Sequence, residues 1–195
     1  MYKTIVLFLL IITSVYTATA QTADSIAYNR YGDLNIAVLE GRQYDAVELV
    51  EQIIPDTAAL PAKTRINFYN IAGKLYDDDG QSLKAIAYYK KVVTAAPDYY
   101  VAHRALGYLY LKQVEAARKK LNASNRNKQA NTAYVNAVRL ALPHMEKAEA
   151  CDPSPETREV ITVLYKGIKD EEGLSSLNSR LSKAGKNCAD LLDAE

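Results

Sequence analysis

Tryptophan is absent from this chain of 195 residues, phenylalanine and methionine occur twice each, and there are only two histidines and two cysteines. So few potential ligands, none at a recognised spacing, offer no zinc site. No Gly-rich phosphate loop, nucleophile elbow or paired histidine–carboxylate set occurs, and the sequence gives no support for an enzyme or a cofactor. Neither sign of charge dominates: 24 Lys and Arg stand against 23 Asp and Glu. That balance argues against nucleic acid or an anionic membrane as partner. Nothing after residue 20 forms an apolar run of the ~18 residues needed to span a bilayer, so no membrane insertion of the mature chain is expected. What is plentiful is tyrosine, with 15 copies. It occupies slots where other sequences use Trp or Phe.

Residues 1–20 read as a signal peptide. Lys3 supplies a positive start, Ile5 to Val15 an apolar stretch, and Ala18-Thr19-Ala20 a small-x-small cleavage site. The mature chain is therefore expected to begin at Gln21 and to be periplasmic or secreted. No cysteine follows the apolar stretch, which argues against a lipid anchor. Removing Lys3 leaves 23 basic and 23 acidic residues. The 175 residues after Ala20 suffice for one domain with a sizeable core. In an oxidising compartment Cys151 and Cys188 either pair or stay free, one half-buried and the other on a frayed tail. A bridge would close a 37-residue loop and stabilise the fold by about 4 kcal/mol in the chain-entropy model.

Two stretches carry one spaced pattern. The first is Tyr69-x-x-Ala72-Gly73-x-x-Tyr76, then Ala85-x-x-x-Tyr89, then Pro97. The second is His103-x-x-Leu106-Gly107-x-x-Tyr110, then Ala141-x-x-x-Met145, then Pro153. The two glycines lie 34 residues apart. Spacing and residue types resemble the tetratricopeptide repeat (TPR), a helical hairpin with small residues where its helices cross. The resemblance implies an all-α, TPR-type α-solenoid, a class whose members mostly hold partners together. It covers residues 66–153 most closely, 154–184 and 27–54 less so. The whole is similar to small exported members of the family from Bacteroidetes. They share a "Pro, Glu-Lys-Ala, Asp-Pro" pattern, here Pro143, Glu146-Lys147-Ala148 and Asp152-Pro153.

Apolar spacing predicts four hairpins within a single domain over 21–185, at about 27–54, 66–99, 100–153 and 154–184. The first should bury Ile26, Leu34, Ala37 and Val38, then Ala46, Val47, Val50, Ile53 and Ile54, with Pro55 as its stop. In the second, Tyr69 and Tyr89 should point inward, and Gly73 and Ala85 should let two backbones cross. The third is interrupted. Tyr76 to Ala85 is 9 residues, whereas Tyr110 to Ala141 is 31. The excess of 22 splits into 11 per helix, about three turns, which keeps the buried stripe in phase. An arm is thus expected to project about 16 Å beyond its neighbours, turning at 122–127. Pro143 should kink or split its second helix. The last hairpin should start at Ser154-Pro155, bury Val160, Ile161, Val163, Leu164 and Ile168, and turn Ser175, Asn178, Arg180 and Lys183 to solvent. Residues 186–195 read as a loose tail unless Cys188 tethers them.

In the family, ligands usually lie in the concave groove lined by the first helix of each hairpin. The matching phase here implies Asn67, Asn70, Lys74, Arg104, Tyr108 and Lys112 as partner-binding residues, with Arg104 and Tyr108 gripping a carboxylate and an apolar side chain. The resemblance and the arm's basic residues (Lys112, Arg118, Lys119, Lys120, Arg126, Lys128) together imply a non-enzymatic adaptor for a protein or peptide of the cell envelope. The alternatives are a self-assembling module (a homo-oligomer) and a glycan or small-ligand module using exposed tyrosines. His103 is read as a packed core residue, His144 as a surface one, and Asp77-Asp78-Asp79-Gly80 as a solvated turn rather than a calcium loop.

Overall fold

The computed structural model describes residues 25–192, so the signal-peptide reading of residues 1–20 falls outside it. The described residues are mostly helical, with no strand among them. They form α1 (residues 25–39), α2 (Gln43–Ile53), α3 (Ala62–Asp78), α4 (Ser82–Ala95), α5 (Tyr100–Ala123), α6 (Lys128–Cys151), α7 (Pro155–Gly167), α8 (Glu171–Ser175) and α9 (Leu177–Ala184). A 3-10 segment, Ile54–Ala59, with Pro55 in its first turn, ends α2. None of these helices is long and apolar enough to cross a membrane.

The helices pack in sequential pairs, α3 along α4 and α5 along α6, with α4–α5, α6–α7 and α6–α9 contacts joining the pairs. Small residues set the spacing. A side chain at Gly107 would meet Met145 Cγ at 2.8 Å and its backbone nitrogen at 3.3 Å, so α5 and α6 approach backbone to backbone there. Gly73 instead receives the Tyr89 ring, 3.1 Å from where a Cβ would stand. The close crossing read for Gly73 is thus a helix against a ring. Between α3 and α4 the chain turns at Gly80, whose φ of +74° suits a residue without a Cβ.

The core follows the expected stripes, with local changes of phase. In the first hairpin Ala27, Leu34, Ala37, Ala46, Val50 and Ile53 are buried, while Ile26 and Val38 stay exposed and Val47 and Ile54 are half-covered. In α3 the fully buried rings are Phe68 and Tyr76, and Tyr69 is only partly covered. In α7 Val163 is exposed and Tyr165 takes the inner place. α5 and α6 each run 24 residues, against 17 and 14 for α3 and α4, so the third hairpin is indeed the long one. Its turn has Asn125 and Arg126 at positive φ, and Asn127 caps α6 by accepting from the Ala130 amide at 2.8 Å. Leu106, Tyr110, Val114 and Leu121 face Tyr134, Val138 and Ala141 within it. α6 remains one helix through exposed Pro143 and is not split. Gly167 of α7 lies against the Tyr134 hydroxyl, so the neighbouring helix braces the arm as far out as Tyr134.

The C-terminal end is more tightly tied than expected. Ser154 caps α7, accepting from the Thr157 amide at 3.1 Å. Arg180 reaches inward to α6 and α7, keeping only part of its side chain in water. Its Nε donates to Glu146 Oε2 at 2.9 Å, and its Nη2 donates to Glu146 Oε1 at 2.8 Å and to the Tyr165 hydroxyl at 2.7 Å. The Tyr165 hydroxyl in turn donates to Glu146. Buried Glu146 thereby has its charge answered from α7 and α9. Lys147 Nζ donates to Asp98 Oδ1 and the Ala184 carbonyl, each at 3.1 Å, and to the Asn187 carbonyl. The tail is not loose within the described residues. Cys151 and Cys188 form a disulfide with Cα atoms 5.6 Å apart. Ala189 exchanges backbone hydrogen bonds with the α4–α5 corner, donating to the Asp98 carbonyl at 2.8 Å and accepting from the Tyr100 amide at 3.1 Å.

Candidate functional site

Two surfaces carry the residues singled out from the sequence: the face shared by α3 and α5, and the arm. On the first, most of the polar groups already have partners within the chain. Arg104 Nη2 donates to Asp152 Oδ2 at 2.6 Å and to its carbonyl at 3.2 Å, with the guanidinium 5.4 Å from the Tyr100 ring centre. Lys112 Nζ donates to Asp77 Oδ1 at 2.9 Å, linking α5 to α3. Lys74 pairs with Asp78 one turn along its own helix at 2.8 Å. Asn70 bonds to the phenol of Tyr99, whose pKa burial pushes upward against that bond. Asn67 is partly covered, and Tyr108 is open to solvent. The Arg104–Tyr108 grip is therefore occupied at its charged half.

Asn70 and Lys74 do share a concavity. A cleft of about 220 Å³ lies between α3 and the α1–α2 turn, with Val38, Gly41, Ile71 and Leu75 also on its walls. Its lining is mainly apolar, and Asp78 at its edge holds Lys74.

The triple-Asp turn is similarly spoken for. Asp77 binds Lys112, Asp78 binds Lys74, and Asp79 accepts from Gln81 at 2.5 Å. Among the described residues no group of three or more His, Cys, Asp or Glu side chains converges as a metal site would.

The tyrosine cluster lies between helices rather than open to a ligand. Tyr76 and Tyr88 stack with ring centres 5.5 Å apart, Phe68 meets Tyr88 edge-on, and Lys91 lies over both Tyr69 and Tyr88. The Tyr76 hydroxyl donates to Glu51 at 2.5 Å; this bond and one from Lys84 hold the Glu51 carboxyl below its usual range.

The histidines face each other across α5 and α6, their Nδ1 atoms 3.0 Å apart, and His144 also stacks on Tyr110. His144 is thus an interhelical residue, contrary to the surface reading. One ring donates to the other, so at least one of the pair stays neutral. Burial lowers both pKa values, with the neighbouring charge of His103 helping to push His144 down to about 4. Lys147 adds to the depression at His103, while the Pro97 carbonyl and Asp98 oppose it. The His103 Nε2 is buried without a hydrogen-bond partner among the described residues.

The arm differs from all of this. Residues 112–133 hold six basic side chains and one acidic one, Glu115, a net +5. The whole chain is +1, so the remainder is −4. Lys112 and Arg118 have acidic partners, Asp77 and Glu115. Lys119, Lys120, Arg126 and Lys128 are exposed and make no ion pair among the described residues. Between the arm's two helices lies a shallow cleft of about 500 Å³ walled by Ala116, Ala117, Ala130, Ala133 and Ala137, with Lys120 at its rim. The arm's length comes from two 24-residue helices that keep their apolar stripe in phase, and its charge from their outward positions.

Comparison of the chain with models of known protein families, with curated proteins and with solved structures finds no match.

Proposed function

We propose that this chain is an exported, non-enzymatic scaffold of the tetratricopeptide type that holds an acidic protein or peptide of the cell envelope against its arm. One observation carries this reading. The cations of the α3–α5 face are neutralised inside the chain, whereas Lys119, Lys120, Arg126 and Lys128 at the arm's end are not. Unneutralised charge on a projecting element attracts an opposite surface before contact, over the roughly 8 Å that physiological salt leaves unscreened. The repeat assignment is supported by the 34-residue offset and by the packing of Gly107 on Met145. Export is supported by the pattern of residues 1–20 and by the Cys151–Cys188 disulfide, a bond at home in an oxidising compartment.

The test is crosslinking of the chain in its native envelope, followed by mass spectrometry, with a variant carrying Lys119→Glu, Lys120→Glu, Arg126→Glu and Lys128→Glu. One recurring acidic partner, crosslinked through Lys119 or Lys120 and lost from the variant, is the expected result. Partner capture that survives charge reversal, or that maps to Lys74 instead, would move the contact to the groove. Calorimetry with glycans tests the small-ligand alternative, for which the packed Tyr69–Tyr76–Tyr88 cluster offers little support.

A further inference from the structure

The chain's own tail rests on a seat that holds it mostly by its main chain. Residues 186–192 leave α9 at Gly185 as a non-helical strap, which passes the end of α6 and reaches the α4–α5 corner. There the Ala189 amide donates to the Asp98 carbonyl at 2.8 Å, and the Tyr100 amide donates to the Ala189 carbonyl at 3.1 Å. The strap thus pairs with Tyr99 as one parallel bridge. Two residues earlier, the Asn187 carbonyl accepts from Lys147 Nζ, whose side chain is only 12% exposed. Of the strap's side chains, Cys188 is bonded to Cys151 and Leu192 is half-covered against the core. Those of Lys186, Asn187 and Leu191 are exposed.

The seat is built to receive a backbone. Tyr100 opens α5, so its amide has no acceptor within that helix and takes one from outside. Asp98 supplies a carbonyl, and Lys147 supplies a nearly buried ammonium. Contacts of this kind accept extended segments of many sequences, as strand addition does. What reserves the seat for this strap is the sulfur bridge, which holds it there at an effective concentration on the order of millimolar or above. That bridge is within reach of a thiol, because Cys188 is exposed and Cys151 only half-buried.

We propose that the strap is the resident occupant of a peptide-binding seat, and that a dithiol releases it to admit an extended peptide of a partner protein. A thiolate of the dithiol attacks Cys188 Sγ, the S–S bond breaks, and Cys151 leaves as a thiolate. The dithiol's second thiolate then attacks its own sulfur in the mixed disulfide and frees Cys188. Two electrons pass from the dithiol, which ends as a disulfide, to the two cysteines, and each of these takes up a proton. The incoming peptide pairs one residue with the Asp98 carbonyl and the Tyr100 amide, as Ala189 does. It gives Lys147 a carbonyl from two residues earlier and sets an apolar side chain, three residues later, in the place of Leu192. This surface is separate from the arm and does not depend on what the arm binds.

Fluorescence anisotropy on the purified chain, with and without dithiothreitol, tests this, using as probe a labelled peptide of residues 186–192 that carries Cys188→Ser. The chain itself carries Ala189→Pro, which removes the strap's own N–H and leaves the seat intact. The reduced chain should bind the probe about tenfold or more tightly than the oxidised one, since the tethered competitor is gone. Methylating the probe's alanine nitrogen should remove that binding. Amide exchange on the unsubstituted chain gives a second readout. Reduction should speed exchange at Tyr100 and Ala189 by about tenfold or more, while Val114 within the arm stays protected. Equal binding by reduced and oxidised chains overturns the proposal, as does no binding to the reduced chain or binding that survives methylation. So does a Tyr100–Ala189 pair that stays protected after reduction, or protection lost at Val114 as well, which would make the release a general unfolding.

Discussion

At its C-terminal end this molecule is bound by a disulfide, a carboxylate–guanidinium–phenol network and a tail hydrogen-bonded to a distant corner. At its N-terminal end the ties are exposed or partly exposed, Arg30 to Asp56 and the Gln52 carbonyl, and Tyr76 and Lys84 to Glu51, and Tyr28, Ile36, Leu39 and Tyr44 stand exposed. Both ends are terminal hairpins with the same task of covering a core on one side. The contrast teaches that a hairpin at the end of the described fold can be finished in two ways, by buried polar locks or by close apolar packing such as that of Ala27, Leu34, Ala37 and Val50. Here the "Glu-Lys-Ala, Asp-Pro" pattern belongs to the first way: Glu146, Lys147 and Asp152 bind Arg180, Asp98 and Arg104 respectively.

The largest expected effect is at the locked end. Replacing Cys151 and Cys188 by serine should cost about 4 kcal/mol by loop-closure entropy. In a chain of this size that lowers the melting temperature by on the order of 10 °C; calorimetry with and without reductant checks it. Arg180→Ala comes next. It leaves buried Glu146 without its counter-charge, and removing one partner of a buried pair typically costs 3–5 kcal/mol. Because the Arg180 side chain is 34% exposed, water softens the loss to about 3 kcal/mol, measurable by urea unfolding.

Acid probes the region between the ends. Both histidines are held below their ordinary pKa, so the fold keeps them neutral while the unfolded chain takes up protons first. Stability should therefore fall as pH drops from 6.5 toward about 4, the window between the unfolded and folded values for His144. His144→Phe should flatten melting temperature against pH in that window. The further loss at lower pH should remain, as the Glu51 carboxylate, held below its usual range by Tyr76 and Lys84, becomes protonated. A profile unchanged by the substitution would detach the pair from acid sensitivity. The smallest effect belongs to the open end. Arg30→Ala should cost less than about 1 kcal/mol, as exposed pairs do. If Arg30→Ala and Arg180→Ala proved equally costly by urea unfolding, the contrast between the ends would fail.

Much of the architecture was legible because helical phase is local. The stripe from Leu106 to Leu121, the in-phase arm and the Ser154 cap follow from residues within a few turns of each other. What phase could not supply was the partner across the gap. Arg180 reads as an outward residue on its own helix, and only the neighbouring α6 brings Glu146 beneath it, 34 positions away. Arg104 reads as a free cation for the same reason, although Asp152 lies 48 positions on. Phe68 and Tyr69 are adjacent, and which ring goes fully inward depends on Tyr88 of α4 filling the remaining space. The candidate groove was therefore legible as a set of positions, and its occupancy by the chain's own acids was not. The arm's charge was visible in the sequence, but that its last four cations lack ion-pair partners emerges only once the others are seen paired.

The position of the disulfide also decides how the molecule bears force. Cys188 lies beyond α9 and Cys151 at the end of α6, so tension applied at the C-terminus passes through the sulfur bridge straight into α6. Helices α7, α8 and α9 hang outside that load path. A pull along the chain should stretch the N-terminal hairpins while the last one stays slack and folded, and only reduction would let it extend.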